Sequence, residues 1–154
     1  MDWSTKLLSS IKNKLSLQIT SQTNNLLLVR DFISDAAKNF GFDEENVNKI
    51  TLAVDEACTN IIKHAYEYQP DKPIDISVFM NDNKFVVIIK DIGKNFEPDS
   101  VIIPNVREHV RQYKIGGLGI YLMKSLMDEV RYKINPGNHN EVTLIKYLPQ
   151  LYSE

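Results

Sequence analysis

The sequence contains a single cysteine, Cys58, so no disulfide can form within the chain. It also lacks any run of about 18 apolar residues, the minimum for a membrane-spanning helix. Basic residues form no stripe, and 18 Lys and Arg against 20 Asp and Glu leave a net charge of −2. These absences favour a cytoplasmic protein in a reducing compartment and argue against a nucleic acid or a membrane as its partner.

The chain has the balance of a globular protein, with 43% hydrophobic and 25% charged residues among 154. A chain of this length suits one domain that buries a sizeable core without metal or disulfide. We find no internal repeat and no low-complexity linker. The sequence therefore predicts a single domain over residues 1–154.

Two helices are predicted in the first half, after a strand of alternating polar and apolar residues at 14–20. Ser21 is a candidate cap for a helix over about 22–39, which Gly41 would end. Asp43 is the candidate cap of a second helix that reaches about residue 66.

Four later segments have the composition and period of strands, and they are residues 74–80, 84–91, 129–134 and 141–147. The second of these is apolar on both faces, which predicts a central strand. A long irregular segment at about 94–116 is typical of a functional lid, and a third helix is expected over about 118–128. This order predicts an α+β, two-layer sandwich, with helices covering one face of a mostly antiparallel mixed sheet.

The second helix carries polar residues at a spacing of four, so that Glu56, Asn60 and His64 share one face. A solvated polar stripe is the alternative interpretation, but Asn and Thr are poor choices for an exposed helix interior. The carboxamide of Asn60 can ligate Mg²⁺ without adding charge beside phosphates. The carboxylate of Glu56, one turn away, can accept a proton from an attacking hydroxyl.

Two further segments could bind a ligand. Asp91 ends the predicted central strand, where a buried carboxylate needs a partner such as an adenine amino group, and Gly93 would let a flat ring approach the backbone. Alternatively, this segment is an ordinary turn.

Gly116, Gly117 and Gly119 precede the third helix, where free amides can hold phosphate, or they form only a flexible joint. This glycine segment matches neither a Walker loop nor a Rossmann fingerprint.

Together the three segments resemble the GHKL, or Bergerat-type, ATP-binding superfamily. Within it, two stretches are most similar to the anti-sigma factor serine kinases of the RsbW and SpoIIAB type. They read Glu56-Ala-x-Thr-Asn60-x-x-x-His64-Ala-Tyr66 and Gly116-Gly-Leu-Gly-Ile-x-Leu-x-x-x-Leu-Met-Asp-Glu-Val130. The resemblance extends over nearly the whole chain, and it implies a Bergerat fold that binds ATP with Mg²⁺.

The resemblance also implies roles for single residues. Glu56 would be the general base toward a protein serine or threonine, Asn60 would ligate Mg²⁺, and Asp91 would accept a proton of the adenine amino group. The complete set implied to bind the nucleotide is Asn60, Lys63, His64, Asp91, Gly93, Phe96, Lys114, Gly116, Gly117, Leu118 and Gly119.

The family implies partners as well. A member would sequester a sigma factor or similar regulator, phosphorylate a small anti-sigma-factor antagonist, and form a homodimer. The chain departs from some relatives, which carry an arginine just before the last glycine motif. Here Lys114 and Ile115 occupy that place, and the nearest arginines are Arg107 and Arg111.

Two alternatives remain at this stage. One is a nucleotide-gated protein-binding regulator that transfers no phosphate, which the departure at Ile115 favours. The other is the ATPase domain of a sensor histidine kinase. The histidines, His64, His109 and His139, lack the context of a two-helix phosphoacceptor module.

Overall fold

The computed structural model describes residues 13–94, 115–134 and 138–149 of the chain. These residues form five strands and three α-helices, with a short 3-10 turn at Thr23–Asn25 before the first helix. In chain order the elements are β1 (Asn13–Thr20), α1 (Leu26–Phe40), α2 (Glu44–Asn60), β2 (Pro73–Asn81), β3 (Lys84–Asp91), α3 (Ile115–Leu126), β4 (Glu129–Ile134) and β5 (Asn140–Tyr147). No helix in these ranges is long and apolar enough to cross a bilayer.

The strands form one sheet in the order β1-β2-β3-β5-β4. β3 is central, as its apolar sequence predicts, and the four pairings between the described strands are all antiparallel. β5 lies between β3 and β4, although it follows both in the chain. Its register places Asn140 directly opposite Asp91. β5 therefore contributes residues beside the carboxyl-terminal end of β3.

All three helices lie on one face of the sheet, which confirms the α+β sandwich. β2 and β3 turn alternate apolar residues toward the helices, and Ile76, Val87 and Ile89 are at most 1% exposed. α2 packs between α1 and α3 and contributes Ile50, Val54 and other buried residues to the same core. Burial of these side chains fixes α2 against the sheet, and with it the polar residues on the rest of its surface.

The caps of the first two helices agree with the sequence except at Ser21. Gly41 ends α1 with a φ of 119°, a conformation that glycine adopts without strain. Asp43 caps α2, since its Oδ1 accepts a hydrogen bond of 2.9 Å from the backbone N–H of Asn46. The prediction that Ser21 caps α1 is wrong. Its hydroxyl donates to the carbonyl of Gln69 and accepts from the N–H of Lys72, so it ties β1 to the loop before β2.

α2 continues into a π-helical turn, Ile61–Ala65, where the N–H of Tyr66 donates to the carbonyl of Ile61, five residues earlier. The sequence predicts one continuous helix here. Such wide turns occur mostly in single turns near functional sites. The Tyr66 hydroxyl donates to the carbonyl of Pro73 and accepts from the N–H of Ile92 at 2.9 Å. One buried phenol therefore joins the end of this helix to β2 and to the exit of β3.

The third helix starts earlier than predicted, at Ile115 rather than about 118. Its first turn therefore includes Gly116 and Gly117, which the sequence analysis places before the helix, and Gly119 follows in the next turn. Almost all of the predicted lid, 94–116, lies outside the described residues, as does most of the predicted turn at 135–138.

Replacing Tyr66 with Phe should lower the free energy of unfolding by about 1–2 kcal/mol, because two hydrogen bonds are lost while the ring stays buried. Urea denaturation followed by circular dichroism measures this change. Tyr68→Phe is the matched control, since Tyr68 is 63% exposed. Loss of its hydroxyl should change the free energy of unfolding by less than about 0.5 kcal/mol. Equal effects of the two substitutions would contradict the linking role of Tyr66.

Candidate functional site

A narrow cleft opens between the end of α2 and the end of the sheet where β3, β5 and β4 lie side by side. Two of the predicted site residues, Asn60 and Asp91, line it together. The full lining is Ala57, Asn60, Ile61, Asp91, Tyr132, Ile134, Asn140, Glu141 and Val142. An apolar wall with a few polar groups is the usual composition of a small-molecule site.

Asp91, at the end of β3, is 4% exposed. Its Oδ1 accepts hydrogen bonds from the N–H of Gly93 at 2.9 Å and from Nδ2 of Asn140 at 3.1 Å. Burial raises the pKa of Asp91, while these two donors act to lower it. Both bonds use Oδ1, so Oδ2 is the oxygen that remains for a ligand.

Asn140 is a site residue that the sequence reasoning missed. It is 7% exposed, and besides its bond to Asp91 its Nδ2 donates to the carbonyl of Gly93 at 3.3 Å. Its sequence context is an unremarkable strand start beside a turn. Only the pairing of β5 with β3 shows that it faces the end of the central strand.

Two buried side-chain polar atoms have no hydrogen-bond partner among the described residues, and they are Nδ2 of Asn60 and Oδ1 of Asn140. Both residues line the cleft. Leaving a buried polar atom unpaired costs about 1–3 kcal/mol, so native proteins rarely do so without a functional reason. One free donor and one free acceptor in the same cleft indicate a site built for a polar ligand.

Glu56 lies one turn before Asn60 on α2, as the spacing predicts, and it is half-buried. Burial is the main cause that raises its pKa, and the neighbouring charge of Asp55 adds to it. Lys63 lowers the pKa by its positive charge. A carboxylate with a raised pKa is a stronger base than an exposed one, so this environment suits proton acceptance.

Gly119, in the first turns of α3, lies against both of these side chains. A Cβ placed on it would be 2.9 Å from Oε2 of Glu56 and 3.5 Å from Oδ1 and Nδ2 of Asn60. This contact places the glycine segment of α3 against the polar residues of α2. The absence of a side chain at residue 119 therefore leaves room for the carboxylate and the carboxamide.

The structure gives a reason for glycine at position 93 that the sequence alone does not reveal. A Cβ there would lie 2.6 Å from the carbonyl oxygen of Ala65, and the N–H of Lys94 donates to the same oxygen at 2.8 Å. The backbone after β3 is therefore packed tightly on the π-helical turn. This packing explains the glycine without any ligand, and a role for Gly93 beside an adenine ring stays a prediction.

The other predicted residues fall into two groups. Lys63 is half-buried and His64 exposed, and both lie in the π-helical turn. Phe96 and Lys114, together with Arg107, His109 and Arg111, lie outside the described residues. Gly116, Gly117 and Leu118 belong to the first turn of α3, a helix whose side chains are described from residue 119 onward.

Within the described ranges, no three His, Cys, Asp or Glu side chains are grouped so that they could hold a metal ion. Protein cages of that kind are not needed for Mg²⁺ in phosphate chemistry. Mg²⁺ commonly uses one or two protein oxygens together with phosphate oxygens and water. The single carboxamide of Asn60 fits that pattern.

Comparison with known proteins decides the family. The profile of the histidine kinase-like ATPase domain matches residues 19–146. The serine-protein kinase RsbW of Bacillus subtilis (strain 168) is 33% identical over 140 residues, which are 87% of this chain and 85% of the relative. The chain belongs to the RsbW-type serine-protein kinases. RsbW of Listeria monocytogenes serovar 1/2a, 30% identical over 145 residues, covers 92% of the chain and 91% of its own length.

This membership confirms the family that the motifs predict, an ATP-dependent protein serine/threonine kinase with a histidine kinase-like ATPase domain. A solved structure agrees in fold. The crystal structure of the RsbU and RsbW domains of Rv1364c from Mycobacterium tuberculosis matches with a TM-score of 0.64 at 17% identity. The match covers 89% of this chain and 32% of the other. It supports the Bergerat-type sandwich.

The two packed glycines should respond differently to Ala. Gly93→Ala should lower the free energy of unfolding by about 1–3 kcal/mol, because the new Cβ meets the Ala65 backbone, which cannot move without distorting the π-helical turn. Gly119→Ala should cost less, because the Glu56 carboxylate can rotate away. Urea unfolding of both variants checks the order. A larger loss of stability in Gly119→Ala would contradict the packing described for the two glycines.

Proposed function

We propose that this kinase binds Mg-ATP in the cleft and transfers the γ-phosphoryl group to a serine or threonine hydroxyl of a small antagonist protein. The alternative state of the same protein would sequester a sigma factor or an analogous regulator. The observation that carries the nucleotide site is the pair of unpartnered polar atoms on Asn60 and Asn140 beside the buried carboxylate of Asp91. A nucleotide offers the donors and acceptors that this set lacks.

The adenine ring of ATP would occupy the end of the cleft at Asp91. The carboxylate is an acceptor for an adenine amino proton, and the Gly93 and Asn140 donors hold it in place. The phosphates would extend toward Asn60, which lines the same cleft and contacts Gly119 at the start of α3. Free backbone amides in the first turn of a helix favour phosphate, which supports the predicted roles of Gly116 and Gly117, while Gly119 leaves room beside Asn60.

Asn60 would hold Mg²⁺ through its carboxamide oxygen, while its unpartnered Nδ2 is a donor suited to a phosphate oxygen. A bound Mg²⁺ neutralises charge that develops on the phosphates during transfer. Lys63, half-buried on the next turn, could add positive charge near the phosphates, as could His64.

Glu56 would act as the general base. The hydroxyl oxygen of the protein substrate forms a bond to the γ-phosphorus, the bond from that phosphorus to the β–γ bridging oxygen breaks, and ADP leaves. The hydroxyl proton passes to the Glu56 carboxylate. Burial of this group and its neighbour Asp55 support the role, since both raise its pKa.

The partners follow from the relatives rather than from the site. The similar proteins are serine-protein kinases, so a protein hydroxyl is the expected acceptor. We propose the sigma factor, the antagonist and a homodimer as the assembly in which the kinase works.

Glu56→Gln should abolish phosphorylation of the antagonist while ATP affinity changes by less than about threefold, because the substitution removes the base and keeps the shape of the side chain. Transfer from labelled ATP and calorimetry measure the two quantities. Glu45→Gln is the control, since Glu45 lies at the exposed start of the same helix. Full transfer by Glu56→Gln would contradict the base assignment. No transfer by the unaltered protein to any antagonist would favour the nucleotide-gated regulator.

Asn60→Ala should remove the dependence of ATP binding on Mg²⁺. The unaltered protein should bind ATP at least about tenfold more tightly with Mg²⁺ than with EDTA, and this ratio should approach one in the variant. Calorimetry in both buffers measures the ratio, and a thermal melt confirms that the variant is folded. An unchanged ratio in a folded Asn60→Ala protein would contradict the metal assignment.

A further inference from the structure

We infer that Asn140 is a specificity-determining residue, whose side-chain oxygen accepts the second hydrogen of a 6-amino group on the bound purine, beside Asp91. This inference rests on the proposed binding of ATP in the cleft. It assigns a function to a residue of β5 that the three sequence motifs do not include.

The orientation of the Asn140 carboxamide is fixed by its neighbours. Nδ2 faces two acceptors, Oδ1 of Asp91 at 3.1 Å and the carbonyl of Gly93 at 3.3 Å. If the carboxamide were turned over, its oxygen would face both acceptors and no hydrogen bond would be possible. The oxygen is therefore on the side away from Asp91 Oδ1.

That oxygen is buried and has no donor among the described residues. Asn140 itself is 7% exposed, so bulk water does not readily satisfy the oxygen. Because Asn140 lines the cleft, the missing donor is expected from the ligand.

The chemistry of the pair selects the class of base. Asp91, when ionised, presents only acceptors, and the free atom of Asn140 is also an acceptor. An exocyclic amino group has two hydrogens and can satisfy one acceptor on each residue. A 6-oxo purine such as guanine would place its carbonyl oxygen against both acceptors. A site that leaves its buried polar groups unpaired with the wrong ligand discriminates strongly.

Purine riboside triphosphate tests the inference, because it differs from ATP only in lacking the 6-amino group. Calorimetry gives the ratio of the two affinities in the unaltered protein and in Asn140→Leu, which keeps the size of the side chain. The preference for ATP should fall about tenfold in the variant, the effect of one buried hydrogen bond. Asn138→Leu is the matched control, since Asn138 is exposed two residues away and does not line the cleft.

Asn140→Ala with N6-methyl-ATP provides an independent measurement if Asn140→Leu does not fold. The methyl group of N6-methyl-ATP replaces one amino hydrogen, so the unaltered protein should bind ATP more tightly than N6-methyl-ATP. The shorter side chain leaves room for the methyl group, so the affinity of N6-methyl-ATP relative to ATP should rise at least about fivefold.

The outcomes separate this inference from the proposed function. If the unaltered protein binds neither ATP nor its analogue, both fail. If it binds ATP but folded Asn140 variants keep its preferences, or if Asn138→Leu changes them equally, the inference alone is overturned. Unchanged preferences in the Asn140 variants would mean that water fills the place beside Asn140. An equal change in Asn138→Leu would mean that Asn140 acts only through the local structure.

Discussion

The carboxylate of Asp91, buried at the end of the central strand, is the group on which the geometry of the site depends. Two N–H donors hold it, the backbone at Gly93 and the side chain of Asn140, and these residues are 47 positions apart in the sequence. Transferring a carboxylate from water into a protein is unfavourable unless hydrogen bonds replace its hydration. Because both donors bind the same oxygen, Oδ1, the second oxygen of this cleft-lining residue remains for a ligand.

α2 has two functions in the fold. One side of it is a large part of the core, where Ile50, Ala57 and Cys58 are at most 2% exposed. The other side carries Glu56 and Asn60, which therefore inherit the rigidity of a packed helix. Groups held in place before a ligand arrives lose little freedom on binding it. The π-helical turn and Tyr66 then fix the end of this helix to the strands that form the cleft.

Much of this arrangement could be predicted from the sequence, and the reasons for the misses are physical. Hydrophobic period located the strands and helices, and the cap at Asp43 and the left-handed Gly41 follow from local chemistry. Ser21 is misleading because its hydroxyl bonds to residues about 50 positions away, which no local pattern reports. Asn140 was missed for the same reason. Spacing on one helix is enough to select Glu56 and Asn60 as candidates, whereas a candidate site assembled across strands requires the register of the sheet.

The strand order has a consequence for how the protein is made. β5 lies between β3 and β4, so the hydrogen-bonding edge of β3 is unpaired until the last described strand has left the ribosome. Until then Asp91 also lacks the donor that Asn140 supplies. A nascent chain that ends before β5 therefore cannot assemble the cleft, and the proposed nucleotide site arises at the same step of synthesis that completes the sheet.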